Sequence, residues 1–230
     1  MRGGQRIGVV IPARNEAAAI GRVLGEIPVW VDAVVVADNG SRDGTGSIAQ
    51  AAGAQVVVEP EPGYGAACLA ALAVLGDAVD IAVFIDGDYS DYPAQMDRLV
   101  DPIVRGDADL VIGSRVLGRA EAGSLTPVQR FGNRLATTLI RRIWGVRYTD
   151  LGPFRAIRRP ALTALAMVDR NYGWTVEMQI KAAQGGLAVA DVPVDYRRRI
   201  GRSKVSGTVT GSVRAGVKIL GWIGWAALRR

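Results

Sequence analysis

"IAVFIDGDYSDYP", residues 81–93, runs five apolar residues straight into three aspartates and closes on a proline. An unbroken apolar run of that length, rich in β-branched side chains, reads as a strand buried on both faces. Its exit places Asp86 and Asp88 two residues apart. Two carboxylates crowded at the end of a buried strand repel each other and lose hydration, unless a positive charge sits between them. A divalent cation is the obvious candidate.

Outward from this strand the first half repeats one pattern. Apolar runs at 7–11, 33–37, 55–58, 81–85 and 109–112 alternate with helical patterns at 16–27, 44–52, 65–75 and 94–105. That series predicts an α/β fold with a mostly parallel central sheet flanked by helices. Such sheets hold their ligands at the carboxyl ends of the strands. Three of those ends carry chemistry: "IPARNE", "ADNGSRDGT" and "IDGDYSD". Polar residues after a strand often serve a turn alone, but three such ends share one rim here.

The second half is less regular. An amphipathic segment spans 127–144, a helix 175–183 and a strand 188–196. The last ten-residue apolar run, 219–228, is far short of the roughly 20 residues that cross a bilayer. Lys218, Arg229 and Arg230 bracket it, and Trp222 and Trp225 suit a headgroup boundary, so an amphipathic helix on a peripheral membrane surface is one expectation. A core helix or the interface of a homodimer is the other. The division expected is a catalytic domain over 1–206 and this helix over 207–230.

Composition narrows the chemistry. The chain of 230 residues, 49% of them hydrophobic, is long enough to bury a sizeable core. Histidine is absent, which removes His general bases, Ser-His-Asp triads and His zinc sites together. Cys68 is the only cysteine; it allows no internal disulfide and reads as a core residue of a cytoplasmic protein. Any metal site must use oxygen. The net charge of +6 conceals an asymmetry, since residues 196–230 hold nine Lys/Arg and no acid. Such a tail meets phosphate groups or is solvated. Nucleic acid is not the expected partner, because the charge is confined to one end and no aromatic residue interleaves "RRRIGRSK".

The ordered series "VVIPARNEAAAI", "VVVADNGSRDGT", "GYGAA", "FIDGDYSDYP", "VIGSR", "DLGPFRAIRR", "YGWTVEM" and "RRIGRSKVSG" resembles the family-2 glycosyltransferases of the GT-A fold, a Rossmann-like nucleotide-binding architecture. Within them it resembles the polyprenol-phosphate sugar synthases, the group that includes dolichol-phosphate mannose synthase. The likeness spans about residues 7–207.

The resemblance implies an inverting, metal-dependent transfer of a hexose, glucose or mannose, from a UDP- or GDP-sugar to a polyprenyl phosphate at the inner face of the cell membrane. It assigns Pro12, Ala13, Asn15 and Glu16 to the nucleotide, and Asp38 to the imino N–H of uracil or guanine. Gly63 and Gly65 would let the backbone approach the nucleotide. Asp86 and Asp88 match a DxD signature that holds Mg2+ or Mn2+ on the donor diphosphate, with Gly87 between them. Ser90 stands where relatives often carry glutamine, so water or Asp91 could complete the metal's shell. Arg115, Arg130, Arg199, Arg202 and Lys204 match the basic positions for the acceptor phosphate, with Arg134 and Arg155 as further candidates. Asp88 and Arg115 are expected at the reaction centre. Asp150 and Glu177 would orient the sugar or the arginines, or one of them would act as base if the acceptor were an alcohol. The rival reading keeps the fold and takes a small phosphorylated acceptor such as a glycerate.

Overall fold

The computed structural model describes residues 1–201 and 209–229. Its centre is a seven-stranded sheet in the order β3-β2-β1-β4-β6-β5-β7. The strands are β1 (Ile7–Ala13), β2 (Ala33–Asp38), β3 (Gln55–Val58), β4 (Ile81–Phe84), β5 (Leu110–Ser114), β6 (Arg155–Arg158) and β7 (Val189–Pro193). All neighbours are parallel except β6, which runs antiparallel between β4 and β5. Helices α1 (Ala17–Gly25), α2 (Thr45–Ala51), α3 (Tyr64–Leu75) and α4 (Met96–Val104) are the crossovers expected from the first half.

Alternation along the strands divides the core in two. Ile7, Val9 and Ile11 of β1 face a layer with Ile20 of α1 and Leu99 and Ile103 of α4. Val10 and Phe84 face the opposite layer, with Ala67 and Ala71 of α3 and Trp174 of α7 (Trp174–Gln184). Cys68 is buried in that second layer, a core residue as the sequence suggested. Burying both sheet faces explains why these strands read as continuous apolar runs.

The second half adds what the sequence left irregular. β6 and the short α6 (Arg159–Leu165) lie within "DLGPFRAIRR" and the residues after it. The arginines at both ends of β6 mask its strand pattern. Arg155 is fully buried there and donates to the carbonyl of Gly152 at 3.1 Å and that of Thr175 at 3.0 Å. α5 (Pro127–Trp144) starts on a complete capping box between Thr126 and Gln129 and ends on Gly145 in a left-handed conformation.

The last helix, α8 (Val209–Leu228), packs against α5 and α7. Ile223 and Ala226 are buried, while Val217, Trp225 and Leu228 are exposed. Trp222 Nε1 donates to Asp169 Oδ2 at 2.6 Å, and Lys218 Nζ lies 2.9 Å from the same oxygen. One face of α8 is therefore docked on the domain and the other is open. Among the described residues no helix is long and apolar enough to cross a membrane.

Candidate active site

At the carboxyl ends of β1, β4 and β5 the structure opens a cavity of about 1190 Å3. Pro12, Ala13, Glu16, Gly63, Asp86, Gly87, Asp88, Arg115, Arg130, Asp150 and Arg199 all line it. Residues scattered over most of the chain thus meet at one rim, where a parallel sheet leaves its strand ends free.

The loop after β4 is held flush on β1. A Cβ at Gly87 would come within 3.3 Å of Ala13 Cβ and 3.5 Å of Ile11, so glycine lets the loop lie against the first strand. Asp86 is partly exposed, but its Oδ1 is buried and makes no full hydrogen bond. Burial pushes its carboxyl up, opposed by the charge of Arg199. Asp88, 2% exposed, is engaged at both oxygens: Oδ1 accepts from the Ser90 amide at 2.9 Å and from Ser90 Oγ at 2.5 Å, and Oδ2 accepts from Arg199. Ser90 therefore orients Asp88 rather than reaching into the cavity. Asp91 lies behind this loop with both carboxylate oxygens buried and without a full hydrogen bond. Burial, reinforced by the nearby Asp86, pushes its carboxyl up to about 7.

The chain returns to this loop after β7. The Arg197 amide donates to the Ser90 carbonyl at 2.9 Å and the Ile200 amide to the Asp88 carbonyl at 3.0 Å. Arg197 clamps the strap: its guanidinium carbon sits 3.3 Å from the Tyr89 ring centroid and 4.1 Å from that of Tyr92, and its Nη2 donates to Glu26 Oε2 at 2.8 Å. These contacts fix residues 196–200 so that Arg199 falls on Asp88.

Across the cavity Arg115 and Asp150 form a two-pronged pair, Nε to Oδ2 at 2.8 Å and Nη2 to Oδ1 at 2.7 Å. The Arg115 amide donates to Oδ2 as well, at 2.9 Å, and the Tyr196 ring centroid lies 5.1 Å from the guanidinium carbon. Burial would lower the Arg115 guanidinium, but the charge of Asp150 and its hydrogen bonds outweigh that and hold it well above its ordinary value. Asn133 of α5 fixes the loop beneath, donating to the Thr149 carbonyl at 3.0 Å and accepting from the Leu151 amide at 2.8 Å. Arg130, Arg134 and Arg147 add further cations to the lining, and Phe131, Ile219 and Leu220 add apolar surface.

Several expected site residues make structural contacts instead of facing the cavity. Glu177 is fully buried away from the cavity; it accepts from the Val168 and Asp169 amides at 2.8 and 2.7 Å and pairs with Lys181. It fastens the turn between α6 and α7. Asp38 accepts from the Ser41 amide at 2.8 Å, and its other oxygen points at Gly46, where a Cβ would come within 2.7 Å. It forms the turn and does not line the cavity. Asn15 joins two loops, accepting from the Arg42 amide at 2.8 Å. Gly63 and Gly65 do permit a close approach, but by the chain's own backbone: their Cβ atoms would fall 2.0 Å from the Arg170 carbonyl and 1.9 Å from that of Asp169. Arg155 serves the fold, beneath the cavity. Arg202 and Lys204 lie outside the described residues.

Asn39, next to Asp38, is a site residue that the sequence reading passed over. It lines the cavity, donates to the Glu59 and Glu61 carbonyls at 2.9 and 2.7 Å and accepts from the Gly63 amide at 2.8 Å. Its place at the end of β2 was the available signal. Tyr196 and Arg147 carry no pattern that marks them before folding.

A family model described as glycosyl transferase family 2 matches residues 8–165. An uncharacterised glycosyltransferase of Mycobacterium tuberculosis is 40% identical over 214 residues, covering 92% of this chain and 95% of the relative. The undecaprenyl-phosphate mannosyltransferase of Micrococcus luteus is 32% identical over 97% of this chain and 98% of its own length. The crystal structure of glucosyl-3-phosphoglycerate synthase from M. tuberculosis with Mn2+, UDP-glucose and phosphoglyceric acid superposes with a TM-score of 0.78 at 29% identity, over 97% of this chain and 81% of that one. The sheet order, the polar strand ends and these likenesses lead to one assignment: the chain belongs to glycosyl transferase family 2 and has the GT-A fold.

Proposed function

We propose that the chain is an inverting transferase moving a hexose from a UDP- or GDP-sugar to a polyprenyl phosphate at a membrane surface, with Mg2+ or Mn2+ held by Asp86 and Asp88. The observation that carries this reading is the cavity itself. It is lined by the Asp86-Gly87-Asp88 loop, by Arg115, Arg130 and Arg199, and by apolar residues from α5 and α8. A nucleotide diphosphate and a lipid phosphate need those three linings together: acid with metal, cations, and apolar surface.

The donor set fits a hard divalent ion. Asp86 Oδ1 is a buried carboxylate oxygen with no full hydrogen bond, and all the acidic groups present offer oxygen alone. Among the described residues no group of three His, Cys, Asp or Glu converges, so the diphosphate and water would complete the shell. When bound, the ion would neutralise charge on the departing nucleoside diphosphate.

The protein's own residues do the rest. Gly87 and Ala13 shape the floor, and Arg115, locked by Asp150, presents a fixed cation to the incoming phosphate. A phosphate oxygen is already deprotonated, so no general base is needed. That agrees with an Asp150 consumed by Arg115 and a Glu177 set away from the cavity. Displacement at the anomeric carbon from the side opposite the diphosphate inverts its configuration. Support for the lipid acceptor also comes from the undecaprenyl-phosphate mannosyltransferase relative. Residues 1–206 would form the catalytic domain, and 207–230 would place the mouth on the inner face of the cell membrane.

A second reading has its own support. The M. tuberculosis structure with UDP-glucose and phosphoglyceric acid argues for a small phosphorylated acceptor. Purified protein with Mn2+ or Mg2+, labelled UDP- and GDP-hexoses, and either a short-chain polyprenyl phosphate or 3-phosphoglycerate separates the two. Label entering the lipid fraction, and lost in Asp88→Ala, is the expected result. Transfer to the glycerate alone would replace the lipid acceptor.

A further inference from the structure

We propose that Arg199 is the internal competitor of the metal: it occupies Asp88 in the metal-free protein, and metal entry releases its guanidinium to the acceptor side of the cavity. The proposal rests on the reading above that Asp86 and Asp88 take a divalent ion.

Three observations carry it. First, Arg199 Nη2 donates to Asp88 Oδ2 while Ser90 fills Oδ1 with two hydrogen bonds, so the oxygen with capacity left for a cation is the one that Arg199 holds. A guanidinium and a divalent ion on one carboxylate oxygen repel each other, so a metal that uses Asp88 must displace Arg199. Second, the arrangement is only half satisfied. Arg199 Nε is buried with no acceptor, and Asp86 Oδ1 is buried with only the Tyr64 hydroxyl beside it, at a distance or angle short of a full hydrogen bond. Buried groups of that kind are costly to leave unpaired, so the strap and the loop hold unspent donor and acceptor capacity beside each other. A metal at Asp86 and an anionic oxygen at Arg199 would satisfy both. Third, the strap has an anchor that stays put when Arg199 moves. Arg197 is held by Tyr89, Tyr92, Glu26 and the Asp91 carbonyl, and none of these contacts involves Asp88. Side-chain rotation at Arg199 alone frees Asp88. The guanidinium then turns within the cavity that Arg115 and Tyr196 also line.

The consequence is an order of events. The cation meant for the acceptor phosphate becomes available only after the metal has arrived with the donor, so donor and metal bind ahead of the acceptor. Because coupling is reciprocal, whatever affinity the metal loses to Arg199 is regained when Arg199 is removed.

Direct Mn2+ binding tests this without any turnover. Free Mn2+ is followed by electron paramagnetic resonance during titration into wild type, Arg199→Ala, Arg199→Gln and Asp88→Ala, with circular dichroism confirming each fold. The expected result is Mn2+ affinity about tenfold tighter in the two Arg199 variants than in wild type, within the usual range of coupling between sites, and lost in Asp88→Ala. Arg199→Gln keeps the reach of the side chain and guards against a fold defect in Arg199→Ala. Equal or weaker affinity in folded Arg199 variants, with wild type and Asp88→Ala differing, would overturn the competition and leave the metal reading standing. Binding that Asp88→Ala does not change, or no binding by any variant, would overturn both.

Discussion

Asp91 is the residue where burial and charge disagree most openly. Both its oxygens are buried with no full hydrogen bond, and burial pushes its carboxyl up to about 7. A native-state value above the unfolded one means that the folded chain keeps a proton the unfolded chain releases. Stability therefore falls as pH rises from about 4, where free carboxyls titrate, to about 7, and is level above that. Asp91→Asn keeps the shape and removes the charge, so in EDTA its urea midpoint should decline less between pH 5 and pH 8 than that of wild type, the remainder coming from Asp86 and Asp191, which burial also raises. Parallel declines would show that Asp91 is ionised and paired throughout. Arg115 and Asp150 make the opposite case, a buried pair with every contact made. Asp150→Ala strands the guanidinium and should cost about 3–5 kcal/mol in urea unfolding, along with most activity. A cost under about 1 kcal/mol would mean that water reaches Arg115 freely.

Among the elements, the turn between α6 and α7 backs the Gly63 loop that lines the cavity. The Asp169 and Arg170 carbonyls press on Gly65 and Gly63, Arg170 reaches Glu61 at 2.8 Å, and Asp169 takes Trp222 from α8. Gly65→Ala drives a methyl into a carbonyl and should cost about 1–3 kcal/mol, read in urea, while weakening UDP binding through the displaced Gly63 loop. An unchanged midpoint would show that the turn yields without resistance. This element also marks the boundary of what the sequence discloses. The glycines were legible as a close approach, but not what approaches, because residues 169 and 170 lie a hundred positions along the chain. Strands β1 to β5 were legible because burial on both faces writes an apolar run, and the acidic loop because its carboxylates interrupt that run. β6 was hidden by Arg155, whose charge is answered only by carbonyls that folding brings near. The amide partners of Asp38 and Glu177 were hidden for the same reason: a carboxylate that binds a ligand and one that ties down amides look alike until their partners are placed.

At the scale of the whole molecule, the open faces of α5 and α8 would set the orientation at the membrane surface proposed above. Val128 and Phe131 on α5, and Val217, Leu220, Trp225 and Leu228 on α8, are all exposed, and Phe131 and Leu220 line the cavity. A patch of this kind marks a docking surface. Cations accompany it on the same helices: Arg130, Arg134, Arg141 and Arg142 on α5, Arg214 and Lys218 on α8, with Arg229 stacked 4.4 Å from the Trp225 ring centroid. Apolar side chains in the acyl boundary with cations at the phosphates would hold the mouth against the lipid that supplies the acceptor. Sedimentation with vesicles containing phosphatidylglycerol should recover the protein, less so as salt rises. Phe131→Ser and Leu228→Ser should each weaken binding about tenfold, the factor expected when a side chain of that size is kept from apolar surroundings. Because both side chains are exposed, neither change should move the unfolding midpoint. Vesicle binding that both substitutions leave intact would assign this face to a second copy of the chain instead, and equilibrium ultracentrifugation of the wild type would then show a dimer that Phe131→Ser dissociates.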